Sequence, residues 1–210
     1  MAKNVNRDFT SWTGWDLRGG RAGDPHAAEE FANTAPTYPN AESRYELLAV
    51  AGRGFRPPGF LVSVNFEQKV EATSPPDNTY LGLRQTWSTV YQQIAETNPA
   101  QKKPFAIYLL GVNPPADLSA KDLKVFNDFY TDVHLVEVAE RRHALRAVRY
   151  ELVEEVRAPY LGAPQFLAAY EVDEAPASQR RHVGPPYSSG PDVWQRHTTP
   201  WRLWFRRVGS

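Results

Sequence analysis

A chain of 210 residues, 41% hydrophobic and 23% charged, has the makeup of a globular protein and the length of one ordinary domain or two small ones. Twenty-four basic residues balance twenty-four acidic ones, so the whole-chain field favours neither nucleic acid nor an anionic membrane. The absence of cysteine excludes a disulfide framework, a thiol nucleophile and a thiolate metal site. No apolar run reaches transmembrane length and Met1 to Asn6 reads as neither signal peptide nor anchor, so a cytoplasmic location is expected.

Each half reads as strand, helix, strand, strand, connection, strand. In the first half the helix covers Asp24 to Asn33 and stops before Pro36 and Pro39. Gln85 to Ala95 is ambiguous, because Leu83, Trp87, Val90, Tyr91 and Ile94 also fit a helical face; its match to the C-terminal strand favours β. In the second half Phe105 to Val112 is almost wholly apolar and ends at Asn113-Pro114-Pro115, as suits a strand buried on both faces. Ser119 stands three before Asp122, a capping spacing that opens a helix through about Arg142. Leu123, Phe126, Tyr130 and Val133 form its apolar stripe. Arg146 to Glu155 and Gln165 to Val172 are strands joined through residues 157–162. Pro176 to His197 is a long Pro, Gly and Ser-rich connection with room for a short helix, and Thr199 to Val208 closes the sheet.

Internal repetition governs the architecture. Arg44-Tyr45-Glu46-Leu47 recurs as Arg149-Tyr150-Glu151-Leu152, and Pro58-Gly59-Phe60-Leu61-Val62 is echoed from Ala163 to Ala168. The segments around Trp87 and Trp201 also correspond, and Phe9 to Trp12 can be laid on Phe105 to Tyr108. In chain order the offsets are 96, 105, 106 and 114, nearly constant inside strands and jumping where loops should lie. Two units, 1–99 and 100–210, are expected to share one core, since about 100 residues is near the lower end of comfortable autonomous folding.

Phe126-Asn127-Asp128-Phe129-Tyr130 with His134-Leu135 after it, then Val148 to Leu152, Pro164 to Val172 and Thr199-Pro200-Trp201, resemble the EthD-like branch of the dimeric α/β-barrel superfamily. The resemblance covers residues 104–208 and is faint before them. It departs from the family at Val136, where a Pro commonly follows the His-Leu pair. It implies an α+β fold of ferredoxin-like units whose sheets normally face each other across two subunits. A tandem copy implies that this chain supplies both, as an intrachain pseudo-dimer barrel, and leaves open a further association of two chains.

His134 lies four after Tyr130 and eight after Phe126, on a helix edge that should face the sheet. An imidazole there is expected to titrate near its working range and to serve as general base and acid, with Tyr130 stabilising a developing enolate or phenolate. For a lone His the plainer alternative is a core-edge histidine bonded to a carbonyl, and for Tyr130 a packed aromatic. Tyr108, Phe126, Arg149, Glu151, Tyr170 and Trp201 are candidates to line a substrate cleft between helix and sheet, strand parity admitting only alternate ones. Asp128 and Asp132 read as solvated, with Asp128 able to orient His134 if the helix bends. Glu29 occupies the position equivalent to His134, so one site per chain is expected.

Other signals are weaker. The histidines at 26, 134, 143, 182 and 197 lack metal-ligand spacing, so no metal is expected. Arg18-Gly19-Gly20-Arg21 could at best hold an anion, and no nucleophile elbow is present. The arginines at 180, 181, 196, 202, 206 and 207 lie among Trp194, Trp201, Trp204 and Phe205, a mixture that could bind an RNA strand; alternation on a half-buried strand explains it better, and no nucleic-acid partner is expected. The combined reading is a cofactor-independent lyase, cyclase or isomerase acting on a small apolar aromatic or polyketide-like molecule. The alternatives are a non-catalytic small-molecule-binding or stress-responsive protein and a cofactor-free or haem-dependent oxygenase, haem being held in the wider superfamily by a helical His.

Overall fold

A computed structural model describes residues 8–17, 24–34, 42–50, 57–68, 82–99, 102–157, 162–174 and 186–209. The first half holds β1 (Phe9–Leu17), α1 (Pro25–Thr34), β2 (Glu42–Val50), β3 (Phe60–Phe66) and β4 (Leu83–Glu96). The second holds β5 (Ala106–Asn113), α2 (Ala120–Phe129), a π turn (Tyr130–His134), α3 (Leu135–Arg141), β6 (Arg146–Arg157), β7 (Phe166–Val172), α4 (Asp192–Gln195) and β8 (Thr198–Val208). The expected Arg18 to Arg21 anion loop, residues 158–161 of the β6–β7 connection, and Arg180, Arg181 and His182 lie outside the described residues. Among the described residues no helix is long and apolar enough to cross a membrane.

Eight antiparallel strands close into a barrel in the order β1-β3-β2-β8-β5-β7-β6-β4. Each half contributes four neighbours in the order fourth, first, third, second, the arrangement of a ferredoxin-like unit, and β2–β8 and β4–β6 are the seams between halves. Because successive strand residues point to opposite sides, every strand supplies one row to the lumen and one to an outer helix layer. The lumen is filled by Trp12, Leu61, Trp87, Leu109, Trp201 and Phe205 among others. Outside, α1 seats Phe31 on Phe60 and Val62, while the second-half helices cover Tyr108, Phe166 and Tyr170. β5 is buried on both sides from Ala106 to Val112, in line with its unbroken apolar sequence.

The repeated tetrapeptide has a physical reading. Tyr45 and Leu47, like Tyr150 and Leu152, point into the lumen. Arg44 points outward and donates from Nη1 to the Ala32 carbonyl of α1, and Arg149 does the same to the Asn127 carbonyl of α2. A second repeated contact packs a glycine under a proline and a tryptophan. A Cβ on Gly14 would lie 2.5 Å from Pro58 Cγ and 2.8 Å from Trp87 Cβ; one on Gly111 would lie 2.7 Å from Pro164 Cγ and 3.0 Å from Trp201 Cβ. These pairs shift the β1 to β5 correspondence by one residue from that suggested by Phe9 and Phe105, so that Trp12 matches inward Leu109 rather than outward Tyr108.

β4 is a strand although its sequence also fits a helix, because both its edges are taken, by β1 and by β6. In β8, Trp201, Leu203 and Phe205 line the lumen and Trp204 packs outside on Tyr108. That places Trp201 on the opposite side of the sheet from His134 and corrects its expected position in the helix–sheet cleft; period-two alternation allows no other outcome. Each seam carries an ion pair: buried Glu46 of β2 with Arg206 of β8, and Glu96 of β4 with Arg146 of β6 at 2.7 Å.

Candidate functional site

Ser119 accepts a hydrogen bond from the Asp122 N–H at 3.1 Å and donates to the Asp122 carboxylate at 2.7 Å, fixing where α2 begins. From there Phe126 and Tyr130 fall on the face turned to the sheet and are fully buried. The helix then widens: the Leu135 N–H reaches the Tyr130 carbonyl, five residues back. Such a π turn is a local departure from the α ladder and recurs at functional sites. It carries Tyr130 at its start and His134 at its end.

Arg149 ties this turn to the barrel. Its Nη1 donates to Thr131 Oγ1 at 2.7 Å and to the Asn127 carbonyl at 3.3 Å, and its Nη2 donates to Asn127 Oδ1. The guanidinium is sandwiched between Tyr130 and Phe166, 4.3 and 4.4 Å from the ring centroids, and the residue is 1% exposed. Burial lowers its pKa to about 10 against the opposing fields of Tyr130, Glu151 and Tyr170. Arg149 therefore reads first as an anchor, with only Nε uncommitted.

Six of the eight residues singled out in the sequence meet here: Tyr108, Phe126, Tyr130, His134, Arg149 and Tyr170 share the outer face of the second-half sheet and the helix above it. Glu151 lies half-buried on the same face and acts on Arg149 electrostatically. Trp201 is the exception already described. Asp128 is ion-paired with Lys124 at 2.6 Å and does not orient His134. The α-helical i, i+4 geometry satisfied Lys124 first.

The electrostatics depart from expectation. Burial, then the field of His197, lower the His134 pKa to about 4, well below the working range anticipated for it. Burial also pushes the Tyr130 phenol well up, Arg149 only partly offsetting it, and Tyr170 likewise. His134 is thus an unprotonated imidazole and Tyr130 a protonated phenol at neutral pH. Tyr130 Oη, Tyr170 Oη, His134 Nδ1 and Arg149 Nε are buried with no hydrogen-bond partner among the described residues. Each such group costs about 1–3 kcal/mol, and native proteins retain few of them without a reason.

The segment 186–197 completes the site, and sequence reading missed it. Trp194 of α4 touches Phe126, Phe129, Tyr130, His134 and His197, with centroid separations from 4.2 to 5.3 Å. Tyr187 meets His134 edge-on at 5.6 Å and lies under the Arg141 guanidinium. The segment is stapled to α3 by Ser188 on Glu137 and by Arg141 Nη2 on the Pro186 carbonyl. Gly190 makes the approach possible: its φ is +72, and a Cβ would lie 2.6 Å from the Phe129 ring. The sequence left room for a short helix between Pro176 and His197, and α4 fills it at Asp192–Gln195; nothing local to the segment told that Trp194 would pack on the second-half helix.

Rings packed around His134 at 4.6 to 5.9 Å occupy the space a macrocycle would need beside that imidazole. The residues present do not fit a haem there. Among the described residues no group of three or more His, Asp or Glu is placed to hold a metal.

No protein-family model matches the chain, and no curated protein resembles it in sequence. Among solved structures it is similar to the crystal structure of a protein named as a chlorite dismutase. That likeness has 12% identity and a TM-score of 0.48, spanning 98% of this chain and 96% of the other. A likeness at this level transfers no site residue and no activity.

Proposed function

We propose that the helix–sheet seam of the second half takes a small, largely apolar aromatic or polyketide-like molecule and acts on it as a cofactor-independent lyase, cyclase or isomerase. The observation that carries this reading is the pair on the π turn. Burial drives the proton affinities of His134 and Tyr130 apart, leaving one as a vacant base and the other as a loaded acid. Neighbouring titratable groups separated in this way are the usual mark of an acid–base pair. The unpartnered hydroxyls of Tyr130 and Tyr170 supply donors for a carbonyl or phenolic oxygen. The aromatic walls supply the apolar surface that such a ligand buries.

A specific observation favours the second reading, a binding protein without turnover. An imidazole of pKa about 4 is a weak base, and catalytic efficiency follows the match between pKa and working pH. A panel of phenolic ketones, scored first by thermal shift and then by product formation, separates the two. Loss of turnover by about 10²-fold or more in His134→Gln with binding retained supports catalysis. Normal binding in both proteins with no product from either supports the carrier. A panel that neither stabilises the protein nor competes at this site removes both.

We further propose that residues 1–99 and 100–210 are tandem copies, the second EthD-like, that build within one chain the barrel two subunits would otherwise make. Support comes from the matched strand orders, the paired Gly-Pro-Trp contacts and the two outward arginines on helix carbonyls. Separately expressed fragments 1–99 and 100–210 should then reassociate into a stoichiometric folded complex. Fragments that each fold and stay apart on a sizing column would contradict it.

A further inference from the structure

The lumen changes character at the end where β1, β2, β5 and β6 begin. Its middle is dominated by aromatic and aliphatic side chains, with Thr89 accepting from Trp87 Nε1; at this end the inward positions include Tyr45, Arg146, Tyr150, Glu171 and Arg207. Register fixes their direction. Arg207 stands opposite Tyr45, two beyond Phe205; Glu171 stands opposite Arg146, two beyond Ala169. Tyr45 and Tyr150 come from β2 and β6, which face each other across the eight-strand ring, and both are buried.

The two arginines differ in what they already hold. Arg146 is spent on Glu96, at 2.7 Å, and on Glu171, at 3.4 Å. The side chain of Arg207 has no hydrogen bond or ion pair among the described residues, though its field reaches Tyr45 and Glu171. Beside it lies the Tyr45 phenol, with Tyr150 on the far side of the ring, and beneath it lie the apolar side chains of Ile107 and Phe205. A guanidinium fork matches a planar carboxylate better than a point charge does.

We propose that this end of the lumen is a second ligand site, taking a small organic carboxylate whose charge Arg207 meets, with Tyr45 and Tyr150 on either side and the apolar lumen below. It is independent of the helix–sheet seam, from which the sheet separates it. A second negative charge beside Glu171 disfavours the ionised form of that residue, whose pKa burial already raises. The groups facing Glu171 are Arg146 and Tyr150 from β6, Glu96 from β4, Arg207 from β8 and Tyr45 from β2. Burial holds both tyrosines protonated, so carboxylate binding draws a proton onto Glu171.

The test is calorimetric titration of the full chain with sodium acetate, referred to the acetate anion, against sodium chloride at equal ionic strength and over a pH series. Saturable binding is expected, tightening by up to about tenfold per pH unit lowered where Glu171 ionises. Arg207→Gln should weaken it by about tenfold or more, and Arg207→Lys should weaken it less. Glu171→Gln should bind with a flattened pH dependence, and His134→Gln should bind as the parent does. Far-UV circular dichroism and melting curves establish that each variant is folded. Heats no different from chloride at every pH, or undiminished binding in folded Arg207→Gln, would overturn the proposal.

Discussion

Trp87 and Trp201 meet edge to face inside the barrel, centroids 4.8 Å apart at 78°, one ring from each half. Each tryptophan also covers the glycine of its own half's first strand. The contact therefore joins two close backbone approaches through a single aromatic pair. Both rings are fully buried.

Truncating either ring should cost about 3–5 kcal/mol in urea denaturation. The double variant should fall short of the sum by about 0.5–1.5 kcal/mol, the worth of the edge-to-face pair. Gly111→Ala, whose new Cβ meets Pro164 Cγ at 2.7 Å, should destabilise by about 1–3 kcal/mol through overpacking. A full-cost, strictly additive double variant would mean that the rings pack against their own halves only.

His134 should make the fold acid-sensitive. Its folded pKa of about 4 lies below the ordinary 6.5, so on acidification the unfolded chain takes up the proton first. The stability it contributes is complete above about pH 6.5, declines as pH falls towards 4, and is gone below that. The loss should be on the order of 2 kcal/mol, discounted for the part of the residue that solvent still reaches. Subtracting the profile of His134→Gln from that of the parent isolates the effect from the carboxylates. A flat difference between neutral pH and pH 4 would show that the ring is solvated.

Arg149 should tolerate no replacement that loses its fork. Arg149→Lys keeps a charge but cannot serve Asn127 and Thr131 together while lying between Tyr130 and Phe166. It should cost about 2–4 kcal/mol by denaturant titration. Amide exchange should quicken from Asn127 to Leu135 if Arg149 holds the π turn, whereas a uniform change across the barrel would assign it a general packing role.

Much of the element order was legible because it is written in local periodicity. β5 announced itself as a run without polar breaks, α2 by Ser119 and Asp122, and β8 by alternation of tryptophan, leucine and phenylalanine with arginine. The ambiguity of β4 was of another kind. A segment with apolar residues at both spacings has no local preference, and only neighbours on both of its edges made it a strand.

The sequence by itself determined that two similar strand–helix patterns follow one another, that the chain lacks thiol chemistry, and that Phe126, Tyr130 and His134 share a helix edge. Tertiary structure alone decided the rest. Register sent Trp201 into the lumen and Tyr108 out of it, although the two lie on adjoining strands. Packing of Trp194, sixty positions beyond His134, took the imidazole out of water and with it the pKa that the side chain has in solution. Periodicity is a property of neighbours along the chain and survives in the sequence. Desolvation and the side of a closed sheet are set by residues far apart in it, which meet only when the barrel shuts.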